Sequence, residues 1–215
     1  MEYIIGITVM LLIVILFKTP LGNGIYRRWM MRLVVGKNRP KKDLFVIHDM
    51  MFYDGTKSLS IDHVVINKDG VHIISTSYES GIISGKEQDK IWTISSTFGK
   101  QRLTMENPIH KNNLIKLSLK QVMPMQVPLY GYVCFPGRTK VKVKSSETPV
   151  VGPRLLKHVI SKHRKPEVIL KPLEVRKLYE ALKNLKKQTF KYQNISIQNN
   201  PKKAYQKDSY LKSER

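Results

Sequence analysis

The stretch that decides the fold reads SIDHVVI at residues 60–66 and DGVHIISTS at residues 69–77. β-branched residues are concentrated on both sides of an Asp-Gly pair, which is typical of a tight hairpin turn. The pattern therefore predicts two antiparallel strands joined by that turn. In this pairing Asp62, late in the first strand, faces the far end of the second strand, where Ser75 and Ser77 lie.

The rest of the chain contains strand-like and helix-like patterns in an order that indicates a fold class. Further strands are predicted at residues 44–52, 91–94, 130–135 and 141–144. Helices are predicted to begin at Pro108, Pro153 and Pro172, with Asn107 as a cap for the first. Gly81 and Gly85 indicate a turn or bend. This order predicts an α/β (α+β) fold with a mixed central sheet flanked by helices.

The charge balance restricts the kind of partner. The chain has 215 residues and 38 Lys+Arg against 16 Asp+Glu, which gives a net charge of +22. Such a charge favours anionic partners, either nucleic acid or the acidic face of a membrane. A hydrophobic content of 41% is compatible with a globular body, and a single cysteine excludes an internal disulfide.

The N-terminus is predicted to be a membrane anchor. Tyr3 to Phe17 contains no charge, and no A-x-A pattern typical of a cleaved signal peptide follows it. Basic residues follow the apolar run, and no acid occurs before Asp43. The positive-inside rule then predicts a single-pass protein of the cell membrane with its C-terminal domain in the cytoplasm. After the anchor, Ile25, Trp29 and Leu33 are spaced to share one helical face, with arginines between them.

These patterns divide the chain into four segments. The predicted segments are a transmembrane helix at 1–19, a core at 20–135, a C-terminal strand and helices at 136–187, and a basic tail at 188–215. The tail is predicted to be disordered because it is polar and lacks an apolar period.

The basic clusters of the C-terminal segment are the candidate nucleic-acid-binding residues. They are Lys140, Lys142, Lys144, Lys157, Lys162, Arg164 and Lys165. Alternate residues of a strand point to one side, so the first three would form a row that can follow a phosphate backbone. The earlier cluster at residues 18–42 is better explained by anionic lipid or by membrane topology.

The histidines are not spaced as the ligands of a metal site usually are. His158 and His163 are five residues apart and have no cysteine pair beside them. His63 and His72 could face each other across the hairpin, but the interpretation we favour is structural. No metal site is predicted.

Over residues 22–135 the chain resembles the nuclease-related domain family, whose members are restriction-endonuclease-like. The resemblance depends on the order and spacing of several short pieces. They are Ile61-Asp62-His63-Val64-Val65, Gly70-Val71-His72-Ile73-Ile74, Gly81-Ile82, Gly85, Trp92 and Asn107-Pro108-Ile109.

The resemblance implies a metal-dependent nuclease frame whose catalytic motif is degenerate. In the family, an aspartate and the glutamate of a Glu-x-Lys motif bind Mg²⁺, while the lysine steadies charge near the scissile phosphate. Asp62 matches the aspartate, but Ser75 stands at the glutamate position and Ser77 at the lysine position. The acid of the family's early helix is absent after Gly24, and Lys111 stands where the family tends to have glutamine. Asp62 is thus expected to be vestigial, with no catalytic residues and no cofactor unless activity with Mg²⁺ is retained.

Three functions remain open at this point. The first is a membrane-anchored pseudo-nuclease that binds or tethers nucleic acid, DNA in particular, through its backbone and with little sequence readout. The second is a membrane scaffold that recruits a protein partner. The third is a weak Mg²⁺-dependent nuclease that uses Asp62 with groups that have migrated, such as Glu79, Lys86 or Lys90.

Overall fold

A computed structural model describes most of the chain outside its two ends. The described residues are 20–96, 102–137, 139–145, 147–162 and 169–199, together with Tyr3, Gly6 and Ile7. Within this part of the chain, no helix is both long enough and apolar enough to cross a bilayer. The anchor predicted at residues 1–19 lies almost wholly outside the described residues.

Thirteen helices and strands make up the described fold. The helices are α1 (Pro20–Val35), α2 (Pro108–Val122), α3 (Pro153–Lys162) and α4 (Pro172–Asn199), with a 3₁₀ turn at Pro40–Lys42. The first five strands are β1 (Phe45–Tyr53), β2 (Ser58–Asn67), β3 (Gly70–Thr76), β4 (Gly81–Lys86) and β5 (Ile91–Ser95). The remaining strands are β6 (Arg102–Glu106), β7 (Leu129–Cys134), β8 (Thr139–Lys144) and β9 (Val150–Val151). This composition confirms the mixed α and β class.

The first sheet has the strand order β1-β2-β3-β7-β9. β1, β2 and β3 are antiparallel, whereas β7 and β9 add in parallel. The hairpin predicted between β2 and β3 is confirmed, and its closing pair is Asn67 with Gly70. Gly70 has a φ of +131°, a conformation that side chains disfavour, so the turn needs a glycine there.

The first sheet is the predicted mixed sheet flanked by helices, but the remaining strands form a second mixed sheet that the sequence did not predict. The second has the order β6-β5-β4-β8, and β8 pairs in parallel with β4. Gly81 and Gly85, predicted to mark a turn or bend, instead lie within β4. Gly81 has a φ of +124°, which lets the chain change direction after the first sheet. Gly85 is required for packing, since a Cβ there would lie 2.7 Å from Cγ of Trp92.

Three apolar clusters hold the layers together. α2 and α4 cover one face of the first sheet and contribute Ile115, Leu119 and Leu178 among others. α1 and α3 cover the other face through Met31 and Leu156. The third cluster joins the second sheet to β7 and to the start of α2, with Trp92 at its centre. All of these side chains are fully buried.

The predicted helices are found, with one boundary that differs. α2 begins at Pro108, and the Asn107 side chain accepts a hydrogen bond from the backbone N–H of Ile109 at 2.9 Å, as a cap should. α4 continues to Asn199, whereas the sequence predicted loss of order from residue 188. Residues 200–215 lie outside the described part.

Candidate functional site

Asp62 lies on β2, one residue before the paired segment of the β2–β3 hairpin, and is half-buried. Its Oδ2 accepts a hydrogen bond of 2.7 Å from the backbone N–H of Thr76 on β3. The carboxylate therefore faces the far end of β3, as the sequence predicted. One of its two oxygens is already used to tie the two strands together.

Ser75 points into the protein interior and is 5% exposed. Its Oγ accepts a 2.9 Å hydrogen bond from Nδ2 of Asn112 on α2. The same amide nitrogen lies 3.2 Å from the carbonyl oxygen of Tyr132 on β7. Gly131 makes room for this amide, because a Cβ there would lie 3.1 Å from Cγ of Asn112. The Ser75 hydroxyl thus belongs to a buried polar link between β3, β7 and α2.

Ser77 follows β3 and is half-buried. Its backbone N–H donates to the carbonyl of Cys134 at 3.0 Å, which extends the pairing of β3 with β7 by one step. A serine hydroxyl carries no positive charge, so it cannot steady a phosphate as a lysine ammonium does.

Asp49 on β1 is an acid near Asp62 that the sequence analysis missed. β1 pairs His48 with His63 and Met50 with Ile61 of β2, so Asp49 lies opposite Asp62 between these two pairs. Asp49 has a φ of +49°, and its carboxylate forms an ion pair with Arg32 of α1. An acid inside the mostly apolar strand FVIHDMMFY was the signal that could have indicated it.

These groups do not fit a catalytic Mg²⁺ ion. Such an ion prefers several oxygen ligands in tight octahedral geometry. Asp62 is bound to a backbone N–H, Ser75 is bound to Asn112, and the Asp49 carboxylate is paired with Arg32. Across the described residues, no group of three His, Cys, Asp or Glu side chains is placed to share a metal. Of the migrated groups considered above, Glu79, Lys86 and Lys90 are all exposed, and Glu79 belongs to no such group of three in the described part of the chain.

A pair of histidines, the buried His63 and the half-buried His48, lies beside this cluster and replaces the pairing of His63 with His72 that the sequence allowed. His63 Nδ1 lies 2.8 Å from His48 Nδ1, and His48 Nε2 lies 3.0 Å from the Gly36 carbonyl. Because a carbonyl only accepts, His48 carries its proton on Nε2, and its Nδ1 accepts from His63. His63 Nε2 is then a buried acceptor with no hydrogen-bond partner in the described structure. His72 pairs with Val65 across the hairpin and contacts Tyr132 and Asn67 instead.

The histidine pair predicts a specific loss of stability in acid. Burial, and next the charge of His48, lower the pKa of His63 from 6.5 to about 4. Because the folded value is the lower one, the unfolded chain takes up the proton first as the pH falls. Stability is therefore intact above pH 6.5 and decreases between pH 6.5 and 4, by on the order of 2–3 kcal/mol. Urea denaturation of residues 20–215 at several pH values measures this decrease.

The matched variants are His63→Gln and His158→Gln. Glutamine at position 63 cannot be protonated, so the decrease in the free energy of unfolding with acid becomes smaller. His158 is exposed on α3, so its replacement is expected to leave the decrease unchanged. Equal pH dependence in wild type and His63→Gln would contradict the assignment.

The second candidate site is the outer face of the second sheet. Lys140, Lys142 and Lys144 are exposed on β8, while Val141 and Val143 between them turn inward to the third cluster. β8 is one of the two edge strands of this sheet, and the lysine row is exposed to solvent. Alternate residues place neighbouring lysines about 6.8 Å apart along the strand.

The strands beside β8 extend this face with small polar groups. On β4, Ser84 pairs with Lys142 and Lys86 pairs with Lys144. Ser84 in turn pairs with Thr93 of β5, which pairs with Thr104 of β6. The lysine row thus flanks a line of hydroxyl groups, which are donors to phosphate oxygens in nucleic-acid complexes.

The other predicted basic residues that the structure describes are not part of this face. Lys157 and Lys162 are exposed on α3, which packs against α1 over the first sheet. Arg164 and Lys165 lie outside the described residues. The five described residues among the seven singled out from the sequence are therefore carried by two separate elements, and of these five only the three on β8 share one strand face.

Comparison with known proteins identifies the domain family. The profile of the nuclease-related domain matches residues 30–136, which contain α1 from its middle onward, β1 to β6, α2 and β7. An uncharacterized protein of Bacillus anthracis is 24% identical over 187 residues, covering 82% of this chain and 84% of the relative. No solved structure matches the chain at a significant level. Residues 30–136 are a nuclease-related domain, and through it the chain belongs to the nuclease-related domain family.

Proposed function

We propose that this protein holds nucleic acid at the cytoplasmic face of a membrane through a nuclease-related domain that does not hydrolyse it. The proposal combines three parts: binding to the phosphate backbone, loss of the hydrolytic site, and an N-terminal anchor.

The lysine row of β8 is the observation that carries the binding part. Its three ammonium groups project from one strand face, beside the Ser84, Thr93 and Thr104 hydroxyls. Such a surface neutralises successive phosphates and offers few groups that could distinguish bases. The net charge of +22 adds a long-range attraction for any polyanion.

The state of Asp62 supports the absence of hydrolysis. Metal-dependent hydrolysis needs carboxylates that hold the ion and a group that steadies the scissile phosphate. Here the positions that the family resemblance assigns to those roles are Ser75, buried against Asn112, and Ser77. Asp62 instead links β2 to β3, because its carboxylate accepts a hydrogen bond from the backbone N–H of Thr76.

The membrane part is supported by the sequence that precedes the domain. Residues 3–17 carry no charge, and residues 18–42 carry basic side chains with no acid. Tyr3 and Ile7, the described large side chains of that run, are 87% and 65% exposed. Apolar side chains so exposed in water favour a lipid environment.

The experiment measures binding and cleavage by residues 20–215 with duplex and single-stranded DNA. Binding is expected to weaken steeply with salt, because each phosphate contact changes log K by about 0.9 per decade of salt concentration. With added Mg²⁺ or Mn²⁺ the DNA is expected to stay intact over the same period.

Two results would contradict the proposal in different ways. If the affinity for DNA does not change with salt, or if DNA does not bind, the proposed binding to the phosphate backbone is contradicted. Metal-dependent cleavage that disappears in the Asp62→Asn variant would contradict the loss of hydrolysis and would indicate that Asp62 is a metal ligand. A stable protein partner captured without nucleic acid would instead favour the scaffold.

A further inference from the structure

The outer surface of α1 carries an apolar stripe that nothing in the described structure covers. Ile25, Trp29 and Leu33 are 61%, 58% and 57% exposed, and Tyr26 beside them is 46% exposed. Residues spaced four apart lie on one side of a helix. Large apolar side chains in a contiguous patch indicate an interaction surface.

The packing of α1 does not require this stripe. The opposite side of the helix already holds it to the domain, with Met31 fully buried against Cys134 of β7. Arg27 adds hydrogen bonds to the Tyr78 carbonyl and to Ser80 Oγ. α1 therefore has two apolar sides. One side packs against the domain, and the other is exposed and can contact a partner.

Two features of the chain specify the partner as lipid. Basic side chains flank and follow the stripe, and in residues 18–42 no acid opposes them. Apart from Arg32, which is paired with Asp49 of β1, the exposed basic residues are Arg28, Lys37, Arg39, Lys41 and Lys42. In addition, the uncharged run at residues 3–17 ends only a few residues before α1 begins. An aromatic and aliphatic surface next to a basic one is suited to the interface of a bilayer with anionic headgroups.

We infer that α1 lies flat in the headgroup region of an anionic bilayer, with Ile25, Tyr26, Trp29 and Leu33 inserted, so that the domain docks on the membrane surface. The inference rests on the membrane part of the proposed function and is independent of nucleic-acid binding. It fixes the orientation of the domain, because α1 and the face of the first sheet under it then point toward the lipid.

The two tryptophans make a direct test possible. Trp29 is 58% exposed, whereas Trp92 is fully buried and donates from Nε1 to the Lys86 carbonyl at 2.8 Å. Trp92 is therefore shielded from both aqueous and lipid quenchers. The difference in fluorescence between the full chain and its Trp29→Phe variant reports on Trp29 alone, and phenylalanine keeps the stripe apolar.

The full chain is reconstituted into vesicles of phosphatidylglycerol and phosphatidylcholine, and its flotation with the vesicles is checked. The Trp29 signal is expected to shift to shorter wavelength, to lose quenching by acrylamide, and to be quenched by lipids brominated near the headgroup. Leu33→Glu should reverse these three effects while the protein still floats. Leu117→Glu is the matched control, because Leu117 is 65% exposed on α2, and it should leave them unchanged.

Each other outcome overturns the inference and identifies what fails. If the chain floats but acrylamide still quenches Trp29, the anchor holds and the docking is wrong. If Trp29 is shielded from acrylamide and also from brominated lipid, the stripe is covered by a second copy rather than by lipid. If the chain does not float, the anchor and the docking are both wrong, while DNA binding by residues 20–215 is still measured separately.

Discussion

Replacing Lys140, Lys142 and Lys144 together by glutamine is expected to lower the affinity for duplex DNA by about 500-fold at about 0.1 M salt. Each lysine that contacts one phosphate contributes about 0.9 to the slope of log K against log salt, so three lost contacts reduce the slope by about 2.7. The electrostatic contribution to log K vanishes at about 1 M salt. A slope difference of about 2.7 over the one decade from about 1 M to about 0.1 M therefore corresponds to a loss of affinity of about 500-fold. Fluorescence anisotropy at several salt concentrations measures both quantities.

A matched variant separates this surface from the general effect of charge. Lys68, Lys120 and Lys177 are exposed on the β2–β3 turn, on α2 and on α4. Their joint replacement by glutamine removes the same charge from other surfaces, so it is expected to cause a much smaller loss and to leave the slope nearly unchanged. Equal losses in the two triple variants would assign binding to net charge.

The position of β8 offers a second explanation for its lysines, which the same variant tests. Lysines on an edge strand also prevent edge-to-edge pairing between molecules. If the triple variant of β8 aggregates but its soluble fraction keeps full DNA affinity, the row protects the edge and the nucleic-acid interface lies elsewhere. Light scattering on the same samples gives this result.

Trp92→Ala is expected to lower the free energy of unfolding by about 3–5 kcal/mol, the largest effect on stability that we expect of a single substitution. The indole is fully buried at the centre of the third cluster and its N–H is bonded to the Lys86 carbonyl. Its removal opens a cavity between the second sheet and the start of α2, and the Lys86 carbonyl keeps only its longer hydrogen bond, from the backbone N–H of Asp89 at 3.3 Å. Urea denaturation of residues 20–215 measures the loss.

The neighbouring Ile91→Ala is the control for Trp92→Ala. Ile91 lies in the same strand but is 59% exposed, so its replacement is expected to change the free energy of unfolding by less than about 0.5 kcal/mol. Gly85→Ala gives an independent check, since the new methyl group meets the same ring, and overpacking of this kind costs about 1–3 kcal/mol. A Trp92→Ala variant as stable as the Ile91→Ala variant would contradict the central place given to this ring.

The sequence indicated the local elements well because their signals are local. The Asp-Gly turn requires only a glycine with positive φ, and the cap of α2 requires only Asn107 before Pro108. The alternation of lysine with valine in β8 likewise follows from the two-residue period of a strand. The same reasoning placed Asp62 opposite the end of β3, where its carboxylate meets the Thr76 N–H.

Only the tertiary structure decided which elements meet. Strand pairing across long separations is not encoded in any local period, so the division into two sheets and the parallel pairing of β4 with β8 could not be read from the chain. The same holds for Ser75, whose hydroxyl is bound by Asn112 from a helix 37 residues away. It holds also for Ile25, Trp29 and Leu33, since helical spacing places them on one face but packing alone determines that this face is exposed. By itself the sequence determined the hairpin, the caps and the charge, because these depend on neighbouring residues, whereas contacts between distant residues depend on the whole fold.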